Sequence, residues 1–158
     1  MRDAVTLSGA MGRSESKTLR VAVNLVGADA ARQAIAAARG FAAAAALPDA
    51  VGHRLCVIVE ELVLNLYEHG GVDAAACVEL VLARRGAEVS LVLEDPGHFF
   101  DPRAAEGPSE LPPERGGGAG IALVQAWSRV LAYDASGGVN RLELLIPVGE
   151  GDDLSSAA

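Results

Sequence analysis

Glu61, Asn65 and His69 recur at four-residue steps inside the most apolar stretch of the chain, which runs from Leu55 to His69. Four residues turn an α-helix by roughly 400°, so successive members lie only about 40° apart around the axis and share one stripe. A carboxylate and a carboxamide set in a nearly all-round apolar helix need partners, because burying either without a hydrogen bond costs on the order of 1–3 kcal/mol. Protein groups, ordered water, or a metal ion with its waters can supply them. Glu60 is the adjacent carboxylate but points about 100° away. Four-residue registry therefore selects Glu61.

Two glycine-containing segments downstream add to this stripe. Asp95-Pro96-Gly97-His98-Phe99-Phe100-Asp101-Pro102 begins where a strand ends. An aspartate there can accept a hydrogen bond from an exocyclic amine, and Gly97, lacking a Cβ, lets the backbone approach a flat ring. The combination suits adenine, although the same residue types also make an ordinary turn. Arg115-Gly116-Gly117-Gly118-Ala119-Gly120-Ile121 leads directly into a helix. Its backbone N–H groups can face a phosphate at the positive helix end, with Arg115 as a charge partner; a flexible linker has the same composition. The Rossmann version needs a strand immediately before and an acidic residue about 20 positions on, and a P-loop needs Gly-Lys-Ser/Thr. Neither pattern is present. Together the segments suggest a Mg-nucleotide site, with Glu61 and Asn65 handling water and Mg2+, Asp95 and Gly97 the base, and Gly117, Gly118 and Gly120 the phosphates.

The elements that must position these groups follow from periodicity. Lys17 to Val26 alternates as a strand. An alanine-rich helix is expected from about Asp29 to Ala46, with Ile35 and Phe41 anchoring its inner face. Leu47-Pro48-Asp49 breaks it, and the second helix starts at Pro48 or Asp49, runs to His69 and stops at Gly70-Gly71. Ala76–Ala83 and Glu88–Glu94 form a hairpin around Arg84-Arg85-Gly86-Ala87. A long loop from Asp95 to Gly118 precedes a third helix starting near Gly120, which carries Ile121, Leu123, Val124 and Trp127 toward the core. Val130–Ala135 and Asn140–Val148 close the domain as a hairpin around Ser136-Gly137-Gly138. Strands joined largely by hairpins, with three helices, argue for an α+β two-layer sandwich: a mainly antiparallel mixed sheet covered on one face by helices.

At 158 residues the chain is the size of one domain. Residues 1–16 and 149–158 read as frayed ends around a domain of residues 17–148. The net charge of −8 and a pI near 4.8 would repel phosphate backbones, which argues against direct nucleic-acid binding. No run of about 20 apolar residues lacks a charge, so no membrane span is expected. Cys56 and Cys77, each among apolar neighbours, read as reduced core thiols, consistent with the cytoplasm. Arg32 reads as a surface residue, His53 and His98 as solvent-facing, and Phe99, Phe100 and Trp127 as core or loop anchors.

Val59-Glu60-Glu61-Leu62-Val63-Leu64-Asn65-Leu66-Tyr67-Glu68-His69-Gly70, the Asp95–Pro102 segment and Gly117-Gly118-Ala119-Gly120-Ile121-Ala122-Leu123-Val124 resemble the asparagine box and the two glycine boxes of a known family. It is that of the stand-alone ATP-binding proteins related to anti-sigma-factor serine kinases, within the histidine-kinase-type ATPase superfamily. The resemblance runs from about residue 17 to 148. It implies that Glu61 is the general base, Asn65 a Mg2+ ligand, Asp95 the adenine reader, and Gly97, Gly118 and Gly120 nucleotide-contacting glycines. His69, Gly117 and Ile121 join the ATP-binding set, and Arg115 is the lid arginine near the terminal phosphates. The implied target is a serine of a small anti-anti-sigma (STAS-type) partner; a sigma factor is the alternative partner, and a homodimer is common in the family. Ser128 departs from the family pattern, which often has Asp there.

Overall fold

The computed structural model describes residues 18–104 and 118–149. Its elements are β1 (Arg20–Val26), a 3-10 turn at Gly27–Asp29, α1 (Ala30–Ala44), α2 (Asp49–Glu68), β2 (Cys77–Arg85), β3 (Glu88–Asp95), α3 (Gly118–Trp127), β4 (Arg129–Ser136) and β5 (Val139–Pro147). The strands form one open sheet in the order β1-β2-β3-β5-β4. Every neighbouring pair is antiparallel, so the expectation of a mixed sheet is corrected. The reason lies in the connections. α1 and α2 together return the chain to the end where β1 finished, the β2–β3 turn is only Gly86-Ala87, and β4 runs in the same direction as β3 but is separated from it by β5.

Alternation puts one side chain in two on the helix-covered face. Leu80, Leu93 and Leu142 are register partners across three strands, as are Leu82, Leu91 and Leu144. All six are buried. Against them pack Leu55, Ile58, Val59, Leu62 and Val63 of α2 and Ala34, Ala38 and Phe41 of α1. Each fully buried Leu or Ile contributes about 1.5–3 kcal/mol of transfer free energy, so this layer supplies most of what holds the domain together.

Ile35 is only half-buried, contrary to its expected place on the inner face. The buried stripe of α1 runs through Ala30, Ala34, Ala38 and Phe41, and Ile35 lies about 100° from Ala34. The thiols are corrected as well: Cys56 is half-buried and Cys77 exposed. Burial pushes the Cys56 thiol above its usual value, opposed by the Arg39 guanidinium. Arg32 sits on the surface, paired with Asp29 at 2.8 Å.

α2 begins after Pro48, with Asp49 in its first turn at the positive helix end. It stops where the Gly70 N–H donates to the carbonyls of Asn65 (2.8 Å) and Leu66 (3.1 Å). At the far side of the sheet, Gly137 and Gly138 both adopt positive φ in the tight turn that delivers β5.

Candidate nucleotide site

Asp95 ends β3 and Asn140 lies near the start of β5, and the two are register partners. Period two places them on the same face as Leu93 and Leu142, under the helices. Both are buried. Oδ1 of Asp95 accepts hydrogen bonds from the Gly97 N–H (2.8 Å) and from Asn140 Nδ2 (3.0 Å). Among the described residues, Oδ2 receives no donor. Asn140 Nδ2 also donates toward the carbonyls of Gly97 (2.9 Å) and His98 (3.1 Å). The His98 N–H in turn donates to the Gly70 carbonyl at 2.7 Å, tying this loop to the end of α2.

Between these elements lies a cavity of about 380 Å³, within the range of small-molecule sites. Asn65 of α2, His69 at its C-cap, Asp95 of β3, Ile121 of α3, Tyr133 of β4 and the loop residues Phe99 and Phe100 are among its walls. Among the described residues Asn65 Nδ2 is buried without a partner. That orphaned amide and the open Asp95 oxygen join His69, His98 and Tyr133 as the polar side chains of a mostly apolar enclosure.

The aromatic wall is held by Tyr133. Its ring meets Phe99 edge-on, with centroids 5.2 Å apart at 87°, and its oxygen accepts a hydrogen bond from the Phe100 N–H at 2.9 Å. Burial pushes the Tyr133 phenol above its ordinary 10.0, with the Asp95 and Asp101 charges adding to the shift and the Phe100 N–H opposing it. Gln125 Nε2 of α3 donates to the Pro102 carbonyl at 2.9 Å, anchoring the loop from the helical side. Beyond it, the hydrogen bonds of Arg103 hold the Asp101 carboxyl below the usual carboxylate range. Phe99 remains 71% exposed, so it is a loop residue at the cavity mouth rather than a core anchor.

Glu61 does not line the cavity; its carboxylate lies against the first turn of α3. A Cβ on Gly120 would overlap Glu61 Oε2 and stand 2.5 Å from its Cδ. Gly97 is likewise off the cavity wall, and the space its absent Cβ leaves is filled by the Gly70 carbonyl, 2.5 Å from where that atom would be. Gly118 is the first residue of α3. His69 caps α2 at the cavity rim with its side chain 57% exposed. Arg115 and Gly117 lie outside the described residues.

Ser128, where the resembling family often has Asp, is buried, and its hydroxyl donates to the Val124 carbonyl at 2.6 Å, finishing α3. The residues that sequence reasoning left without a role are Asn140 and Tyr133. Strand parity was a usable signal, since Asn140 shares the face of Leu142 and Leu144. No helix among the described residues is long and apolar enough to cross a membrane.

None of the curated proteins matches the chain. A family model, that of the histidine kinase-like ATPase domain, matches residues 27–146, a span holding Glu61, Asn65, Asp95 and the start of α3. An α+β fold with an antiparallel five-stranded sheet, three helices and a cavity between them agrees with that match, and the chain belongs to the histidine kinase-like ATPase family, whose domain implies ATP binding.

Proposed function

We propose that the domain binds Mg-ATP in the cavity and transfers the γ-phosphoryl group to a serine of an anti-anti-sigma (STAS-type) partner, so controlling the availability of a sigma factor. The observation that carries the nucleotide part is that a carboxylate oxygen and a carboxamide nitrogen with no partner among the described residues belong to residues lining one enclosure. The exocyclic amine of adenine satisfies the first, and the apolar walls suit its ring faces. The partner assignment comes from the three motif segments.

The donor set fits Mg2+ only in company with phosphate. Among the described residues no group of His, Cys, Asp and Glu could hold a metal ion by itself. Asn65, with its amide turned to present oxygen, would be the protein ligand, leaving the other near-octahedral positions to phosphate oxygens and water. When bound, the cation supplies charge neutralisation at the transferring group. The chain's own residues do the rest. Asp95 orients the base, Phe99, Phe100 and Ile121 exclude water, and Glu61 accepts the proton of the attacking serine hydroxyl. In that role the Glu61 carboxylate would leave its place against Gly120 by side-chain rotation.

Calorimetry is expected to give micromolar Mg-ATP binding that Asn65→Ala and Asp95→Ala abolish. Labelled ATP is expected to label the partner's serine with wild-type protein and not with Glu61→Ala, which still binds nucleotide. Absence of Mg-ATP binding by the wild type overturns the proposal. A second reading, partner switching by bound ATP without transfer, is favoured by the position of Glu61 off the cavity wall. Partner release with ATP recovered unchanged selects it.

A further inference from the structure

Taking the nucleotide reading as its premise, we propose that Asn140 is the positioning residue of base recognition, the group that makes the cavity selective for purines bearing an exocyclic amine. Its terminal nitrogen carries two hydrogens and faces three acceptors: Asp95 Oδ1 at 3.0 Å, the Gly97 carbonyl at 2.9 Å and the His98 carbonyl at 3.1 Å. The residue is 5% exposed. Its backbone is fixed opposite Asp95 by the β3–β5 ladder.

The consequence falls on the carboxylate. With the Gly97 N–H and the Asn140 amide both donating to Oδ1, rotation of the Asp95 carboxylate breaks two hydrogen bonds. One oxygen is therefore engaged, and the other, on a residue that lines the cavity, is held in a single orientation. A fixed lone acceptor gains a hydrogen bond from an amine and meets a keto oxygen acceptor to acceptor. Without Asn140 the carboxylate turns more freely, and the Gly97 and His98 carbonyls lose their donor. A role confined to holding the loop would weaken every nucleotide by the same factor. A role in aiming the carboxylate weakens only those that offer it an amine.

The test measures binding of ATP and of purine riboside triphosphate, which lacks the 6-amino group, to the full chain in Mg2+ by calorimetry. Wild-type protein is expected to favour ATP on the order of 10–100-fold, the span of one hydrogen bond to a charged group. Asn140→Ala is expected to bring the two affinities within about threefold of each other, mainly by weakening ATP. Asn140→Ser, whose side chain keeps one donor, carries the same comparison should the alanine variant not fold, and is expected to give an intermediate ratio. Retention of the wild-type ratio in a folded variant, or an equal loss for both ligands, overturns the role of Asn140. A wild type that binds both equally also overturns it, whereas a wild type that binds neither overturns the nucleotide premise itself.

Discussion

A buried amide without a partner is a standing cost to the nucleotide-free protein, and Asn65 carries one among the described residues. An apolar side chain of similar size removes that cost. Asn65→Leu is thus expected to raise the melting temperature of the nucleotide-free protein by about 3 °C, corresponding to about 1 kcal/mol, and to abolish the further rise produced by Mg-ATP. Thermal melts with and without Mg-ATP check both halves; a lower melting temperature in the variant would show that the amide is satisfied in the free protein. Tyr67 makes a different case. Its hydroxyl lies 3.2 Å from the Leu25 carbonyl and 3.0 Å from that of Ala76, joining α2 to β1 and to the chain entering β2. Burial pushes the phenol above its ordinary 10.0, and Cys77 adds to the shift. Because the folded value exceeds the unfolded one, the contribution of Tyr67 is complete below the unfolded value and is lost as pH rises through the folded one. Denaturant unfolding is expected to show tyrosine-linked stability constant through neutral pH and falling above about pH 10. Tyr67→Phe is expected to reduce that alkaline fall while costing about 1 kcal/mol at neutral pH.

At the scale of elements, the site is a set of close approaches between chain segments. Gly97 sits where the loop after β3 presses on the end of α2, and the atom a Cβ would meet there is the backbone carbonyl of Gly70. Gly97→Ala is expected to cost about 1–3 kcal/mol in denaturant unfolding, because neither backbone can yield alone. At Gly120 the neighbouring atoms belong to the end of the Glu61 side chain, which can swing aside. Gly120→Ala is expected to leave stability within about 1 kcal/mol of wild type and to impair phosphoryl transfer through a displaced carboxylate; unfolding and label-transfer assays on the same preparation separate the two effects. The same contrast shows what the sequence could reveal. Asn65 and Asp95, marked by local spacing and a strand end, line the cavity, whereas Glu61, marked in the same way, stands off its wall; the helices were legible because propensity and breakers act locally. For Asn140 strand parity marked only the face; its partners lie up to 45 residues away and are brought to it by the sheet register. The inner face of α1 misled for a related reason. An alanine stripe packs closely against α2, and the pattern of large residues alone points to Ile35.

For the molecule as a whole, the formal charge of −8 opposes the approach of a polyanionic nucleotide. Screening should therefore help binding, the reverse of the behaviour of basic nucleotide-binding surfaces. Raising salt from about 20 to about 150 mM at fixed Mg2+ is expected to speed Mg-ATP association on the order of twofold in stopped-flow measurements, and slower association would show that local positive potential governs entry. The sheet carries a further consequence. Asp95 and Asn140 cap the same two neighbouring strands whose leucines fill the centre of the core. A ligand held by that cap therefore quiets the middle of the protein before its margins. Deuterium uptake at the amides of β3 and β5 would slow on saturation, while β1, an outer strand two places from the cap, would keep the exchange rates of the empty domain.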